Sequence, residues 1–310
     1  MQGEFQYGGQ AVIEGVMMKG RDHMAIAVRK GPGEIVVHRE HVNSLTKRYR
    51  ILKAPFLRGV VALCESFTLG LRSLLFSANQ FVETSEEERL TPFETVAIVG
   101  AALLLTVVLF ILLPLGIRGL LGRLTGALFW LNLAEGLIRA IILVLYILAV
   151  SLMKDMRRVF AYHGAEHKAI HTHEAGEELT VANVQRHTTL HPRCGTSFLL
   201  FVVVVSALVF SLLGRQTMLA RFGSRLLLLP VVAGISYELI KLAGKRQAFP
   251  LVRWLSAPGL WLQKLTTRVP DDGMVEVAVA ALRAVIEEDA RTEPPKLAAG
   301  VAAPPGCPGA

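Results

Sequence analysis

Cysteine is scarce in this 310-residue chain. Its three residues, Cys64, Cys194 and Cys307, show no paired spacing. An odd, scattered set excludes a disulfide framework. It fits a reducing compartment, or a single metal or nucleophile role. The first ten residues, MQGEFQYGGQ, lack a basic segment followed by an apolar run, so no secretory signal peptide is expected. No internal repeat and no glycine-rich phosphate cradle is present. The tripeptide GGQ at 8–10 also occurs in proteins that hydrolyse peptidyl-tRNA, but it is too short to carry that function. Charge is sparse as well, at 19% of residues, while 52% are hydrophobic and the mean hydropathy is +0.46. Such a balance points to several membrane spans. The net charge of +8 is then better read as Lys and Arg gathered on cytoplasmic segments facing anionic lipid than as a nucleic-acid surface.

A helix needs about 20 apolar residues to cross the hydrocarbon layer. Residues 95–117 carry no charge and form the first expected span. Residues 127–153 form a second. It holds Glu135 and Arg139, one turn apart in the acid-first order that suits an internal ion pair. Residues 197–213 and 226–243 are the third and fourth, the last interrupted by Pro230 and carrying Glu238 near its end. In residues 55–76, Arg58, Glu65 and Arg72 recur every seventh position on an otherwise apolar helix. An interfacial or re-entrant amphipathic helix is expected there, with a fifth span as the alternative. The expected fold is a mainly α, polytopic helical bundle with a small N-terminal β-hairpin region.

The regions follow from this. A cytoplasmic β-rich region covers 1–50, and the amphipathic helix and linker cover 51–94. Spans one and two lie in 95–153, a His-rich segment in 154–196, and spans three and four in 197–243. C-terminal helices occupy 244–290 and a disordered tail 291–310. AIAVRK and EIVVHREHV alternate around GPG as a hairpin. GGQAVIEGVMM reads as a third strand. DDGMVEVAVAALRAVIEEDA reads as an amphipathic helix opened by capping aspartates. Lys and Arg cluster in 154–196 and beside the bundle around 47–58 and 241–253. That places this segment and both termini in the cytoplasm of a multi-pass protein of the inner (plasma) membrane.

Six of the nine histidines fall between His163 and His191. Residues 154–174 are expected to continue the second span as a helix. His163, His167 and His171 then repeat every four residues along one face, a spacing that lets two imidazoles share a divalent ion. His163-Gly-Ala-Glu166-His167 matches H-x-x-E-H, in which the histidines hold zinc and the glutamate serves as general base. A second cluster, HTTLHPRCGTSF at 187–198, supplies His191 and Cys194 at a Pro/Gly turn. Glu238 is a third candidate for completing the ligand set, and the sequence does not choose among the three. Read as surface instead, the histidines with Lys168 would be a solvated helix face against lipid headgroups.

The motifs GGQAVIEGVMM (8–18), RGVVALCESFTLGLRSL (58–74), RVFAYHGAEHKAIHTHE (158–174), HPRCGTSF (191–198), AGISYELI (233–240) and PDDGMVEVAVAALRAV (270–285) resemble the bacterial DUF1385 family. The resemblance runs in order over about residues 5–290. It implies an integral membrane protein described as a predicted metal-dependent enzyme. Its matched positions here are His163, Glu166, His167, His191, Cys194 and Glu238. The expectation is therefore a membrane metalloenzyme with a divalent ion, zinc first. His163 and His167 would be ligands and Glu166 the base, with a hydrolytic reaction on a peptide, lipid or amide. A metal transporter or sensor would use the same ligands without a base. A scaffold recruiting cytosolic partners would need neither.

Overall fold

The computed structural model describes residues 7–31, 33–85, 91–123, 127–214, 216–245 and 249–292. Four strands, β1 (Gly8–Val12), β2 (Gly15–Lys19), β3 (His23–Gly31) and β4 (Glu34–His41), form an antiparallel sheet in the order β1-β2-β3-β4. The expected hairpin is β3–β4. The stretch expected as one third strand is instead a hairpin of its own. It turns at Ile13-Glu14, with Glu14 at φ 50°. That left-handed corner is held on both sides: Arg29 N–H donates to the Glu14 carbonyl at 2.8 Å, and Arg158 donates two hydrogen bonds of 2.5 Å to its carboxylate.

Side chains alternate between the two faces of a strand, and here both faces are covered. Val16, Met18, Ala25 and Ala27 enter one core, and Val12, Met17, Met24, Ile26 and Val28 enter the other. The second core is closed by Leu69 of α2 (Leu57–Ser85), which follows a short turn of helix, α1 (Leu45–Arg48). The chain continues through α3 (Pro92–Val107), a π turn at Val108–Leu112, and α4 (Leu113–Leu121), then α5 (Leu128–Leu152), α6 (Lys154–Glu174) and α7 (Val181–Arg186). It ends with α8 (Gly195–Ser211), α9 (Met218–Lys245), α10 (Pro250–Thr266) and α11 (Asp272–Thr292). α6 and α11 cover the first face of the sheet. Asp271 accepts the Met274 N–H at 2.8 Å at the start of α11. At its other end Asp289 accepts Arg21 N–H at 2.6 Å and Asp22 N–H at 3.2 Å, pinning the β2–β3 turn. The tail expected to be disordered lies, from residue 293, outside the described residues.

α6 does not continue the second span. Met153 is extended (ψ 134°) and separates α5 from α6, and Arg268 donates to the freed Ser151 carbonyl at 3.3 Å. The break lets α6 leave the bundle axis and lie on the sheet.

Among the described residues, four helices are long and apolar enough to cross a membrane: Leu57–Gln80, Phe93–Leu121, Trp130–Leu152 and Leu219–Gly244. The number matches the expectation but the membership differs. α8, expected as a span, is an apolar helix of only 17 residues, shorter than these four. α2 qualifies by length and composition, yet its middle packs on the sheet. Its polar face is fully used: Arg58 pairs with Glu238, Glu65 accepts from Ser44 and Leu45 N–H, and Arg72 pairs with Glu40. The bundle is apolar outside, and its charged side chains are turned inside among apolar clusters. Leu104, Leu137, Leu145 and Leu227 are exposed, whereas Glu135, Arg139 and Arg225 are buried. That inversion suits a lipid surround rather than water.

Candidate metal centre

α6 reaches its position through small residues. Ala161, Ala165 and Ala169 are buried against the sheet and α11. A Cβ on Gly164 would stand 2.0 Å from the Arg268 carbonyl, so only glycine permits this approach to the α10–α11 connection. The opposite side of the same two turns then carries His163, Glu166 and His167 towards the start of α8 and the end of α10.

The two imidazoles are oriented by backbone carbonyls. His163 Nδ1 lies 2.8 Å from Thr266 O, and His167 Nδ1 lies 2.5 Å from Thr189 O. A carbonyl only accepts, so Nδ1 is the donor in each ring, and in the neutral ring Nε2 is left with the lone pair that a metal needs. Cys194, the N-cap of α8, accepts the Thr196 N–H at 3.4 Å and places Sγ 3.2 Å from His163 Nε2. Ligand atoms of His163, His167 and Cys194 all lie within 4.8 Å of one another. Two imidazole nitrogens and a thiol, with Nδ1–H groups anchored on carbonyls, form a donor set that fits zinc or another borderline ion.

Glu166 lies between the histidines, its Oε2 3.9 Å from His163 Nε2 and 3.6 Å from His167 Nε2. Burial pushes its carboxyl up to about 7, partly offset by His163 and by the Gly9 N–H. A carboxyl that exchanges its proton near neutral pH is suited to general acid–base work. The GGQ stretch finds its role here. A Cβ on Gly9 would stand 2.9 Å from Glu166 Cγ, so β1 closes directly over the carboxylate.

The other sequence candidates separate. His191 joins a second group with His171 and Glu174, again with ligand atoms within 4.8 Å. His171 donates through Nε2 to Leu190 O at 2.9 Å. His191 Nε2 is buried without a hydrogen-bond partner, its nearest carboxylate oxygen on Glu174 being 3.6 Å away. Burial pushes His191 down to about 4, and Glu174 is held down to about 2 by His191 and Arg193 despite its partial burial. The groups adjoin, with 5.5 Å between the His167 and His191 ring centres. Glu238 joins neither: it takes hydrogen bonds of 2.7 and 2.5 Å from Arg58. Lys168 is buried and donates to Gln185 O at 2.7 Å, which removes it from any headgroup surface. Thr189 and Thr266 carried no signal in the sequence, because their part is a carbonyl arriving from a distant element; Glu174, one turn after His171 on α6, was missed although its helical spacing could have found it.

A cavity of about 640 Å³ opens between the sheet, α2, α6 and the end of α9, with His163, Glu166 and His167 in its wall. The whole is a helical protein of multi-pass membrane type, with a candidate metal centre where the bundle meets its sheet-bearing part. The chain belongs to the DUF1385 family, described as a protein family of unknown function, whose model matches residues 54–288. It is 38% identical over 303 residues to "Uncharacterized protein YqhQ" of Bacillus subtilis (strain 168), covering 93% of this chain and 94% of that one. No solved structure matches.

Proposed function

We propose that the chain is a metal-dependent membrane hydrolase, its centre formed by His163, His167 and Cys194 with Glu166 as the base. The observation that carries this is the convergence of three ligand atoms within 4.8 Å beside a buried carboxyl pushed up to about 7. A bound ion supplies Lewis acidity at the cavity wall. Thr266 and Thr189 carbonyls hold the Nδ1 protons and so keep both Nε2 atoms aimed inward. Glu166 takes a proton from a water held beside it and returns it to the leaving group. Zinc is the first choice of ion by its donors. The substrate is a peptide, lipid or amide entering through the 640 Å³ cavity. The basic residues of 154–196 support an orientation with the site and both termini on the cytoplasmic side of the plasma membrane.

Elemental analysis of detergent-purified protein tests this beside the double variant His163→Ala/His167→Ala and beside Glu166→Gln. Near-stoichiometric metal is expected in wild type and in Glu166→Gln, and none in the double variant. Glu166→Gln should at the same time lose cellular function. Metal-free wild type, or full function with Glu166→Gln, would overturn the hydrolase.

A further inference from the structure

At the end of the bundle remote from the histidines, one acid faces three guanidinium groups. Glu135 Oε1 accepts from Arg139 at 2.5 Å and from Arg225 at 2.8 Å. Its Oε2 accepts from Arg225 at 2.7 Å and stands 3.1 Å from Arg118 Nε. All four side chains are at least nine-tenths buried: Arg118 and Arg139 are each 5% exposed, and Glu135 and Arg225 each 2%. Phe210 packs flat beneath Arg139 and Arg225 at 5.0 and 4.9 Å.

The charges do not balance. Residues 95–153 contain no acid besides Glu135, and residues 195–237 contain none. No neighbour in these helices can therefore neutralise the remaining two positive charges. Burying an unpaired guanidinium among apolar helices is costly. Each of the three arginines also has another acceptor: Arg139 Nε donates to Phe110 O, which Pro114 four residues on cannot serve, Arg118 Nη2 donates to Asn132 Oδ1, and Arg225 Nη1 donates to Arg221 O at 3.4 Å. Arg118 Nε has no hydrogen-bond partner; the Glu135 oxygen lies within distance but off its N–H direction. Arg221 stands one turn before Arg225 and is half-buried at the rim.

Depth matters too. Arg118 is three residues from the end of α4, Glu135 seven from the start of α5, and Arg225 seven from the start of α9. At 1.5 Å per residue they lie about 4–11 Å inside the helix ends, where headgroup meets hydrocarbon. We propose that Arg118, Arg139, Arg221 and Arg225 around Glu135 form a site for a phosphate-type oxyanion, with Arg118 Nε as its unused donor. Guanidinium forks match phosphate oxygens in pairs. The group is either the phosphodiester of an anionic lipid or free phosphate.

The test uses full-length protein stripped of lipid by extensive detergent exchange, with melting followed after adding either phosphatidylglycerol in mixed micelles or inorganic phosphate alone. Wild type should gain several degrees with one of them. Stabilisation by phosphatidylglycerol alone identifies a lipid site, and stabilisation by phosphate alone a free-ion site. Arg118→Gln should need about tenfold more of the same additive, the loss of one charge-assisted contact, and Arg118→Lys should recover part of it. Phosphorus analysis of gently purified wild type gives a measurement independent of any variant and should find about one phosphate group per chain beyond that of Arg118→Gln. No gain in wild-type melting with either additive would overturn the site, as would an equal gain in Arg118→Gln.

Discussion

Gly8 and Gly9 are neighbours in β1, and the structure assigns them opposite tolerance for a methyl group. An added Cβ at Gly8 meets nothing within 4 Å. At Gly9 it would lie 2.6 Å from the Met17 carbonyl oxygen, 2.9 Å from Glu166 Cγ and 2.9 Å from Met18 Sδ. The thioether can swing away. The carbonyl cannot, because it belongs to the paired strand β2, where Gly9 stands opposite Met18. Forcing a methyl into such a place costs about 1–3 kcal/mol, whereas Gly8→Ala should stay within about 0.5 kcal/mol. At roughly 2–4 °C per kcal/mol, Gly9→Ala should melt at least about 2 °C below wild type and Gly8→Ala beside it. Detergent-solubilised protein and a thermal melt suffice. If the two variants melt together, β1 does not close over Glu166 as described. The account of that carboxyl's burial then falls with it.

Three further outcomes are expected. Glu166 is raised from its ordinary value of 4.5 to about 7, so its stabilising contribution is complete below 4.5 and is lost as pH rises to 7. In chelator-treated protein, the stability of wild type relative to Glu166→Gln should fall by roughly 3 kcal/mol across that window; a flat difference would refute the burial. His191, pushed down to about 4, acts in the opposite direction below 6.5, but equally in both proteins. Asp289→Ala should cost at least about 1–3 kcal/mol, since Arg21 N–H, Asp22 N–H and His23 Nδ1 lose their acceptor together; an unchanged melt would mean that the turn does not depend on α11. Cobalt substitution should give a thiolate charge-transfer absorption that disappears in Cys194→Ser and persists in His191→Ala. Cobalt that binds without this absorption and is lost in His191→Ala would move the centre to the second group, which has no thiol.

Much of this protein follows from short-range pattern. The apolar run of 95–117 is helical because nothing in it competes with backbone hydrogen bonding in a lipid surround. The β3–β4 hairpin follows from alternation around GPG, and the α11 start from its aspartates. The pairing of His163 with His167 is a helical repeat, so it too was legible. Tertiary structure decided what depends on distant elements docking. Cys194, rather than Glu238, stands beside the two histidines because the N-cap of α8 meets α6. Glu238 instead meets Arg58, which α2 brings to it across 180 residues of sequence. The break at Met153 has no local signal; it is held by packing of α6 on the sheet and by Arg268. Glu135 and Arg139 were readable as a pair one turn apart. That Arg118 and Arg225 join them, leaving more positive charge than negative, is a consequence of three helices meeting at one end of the bundle.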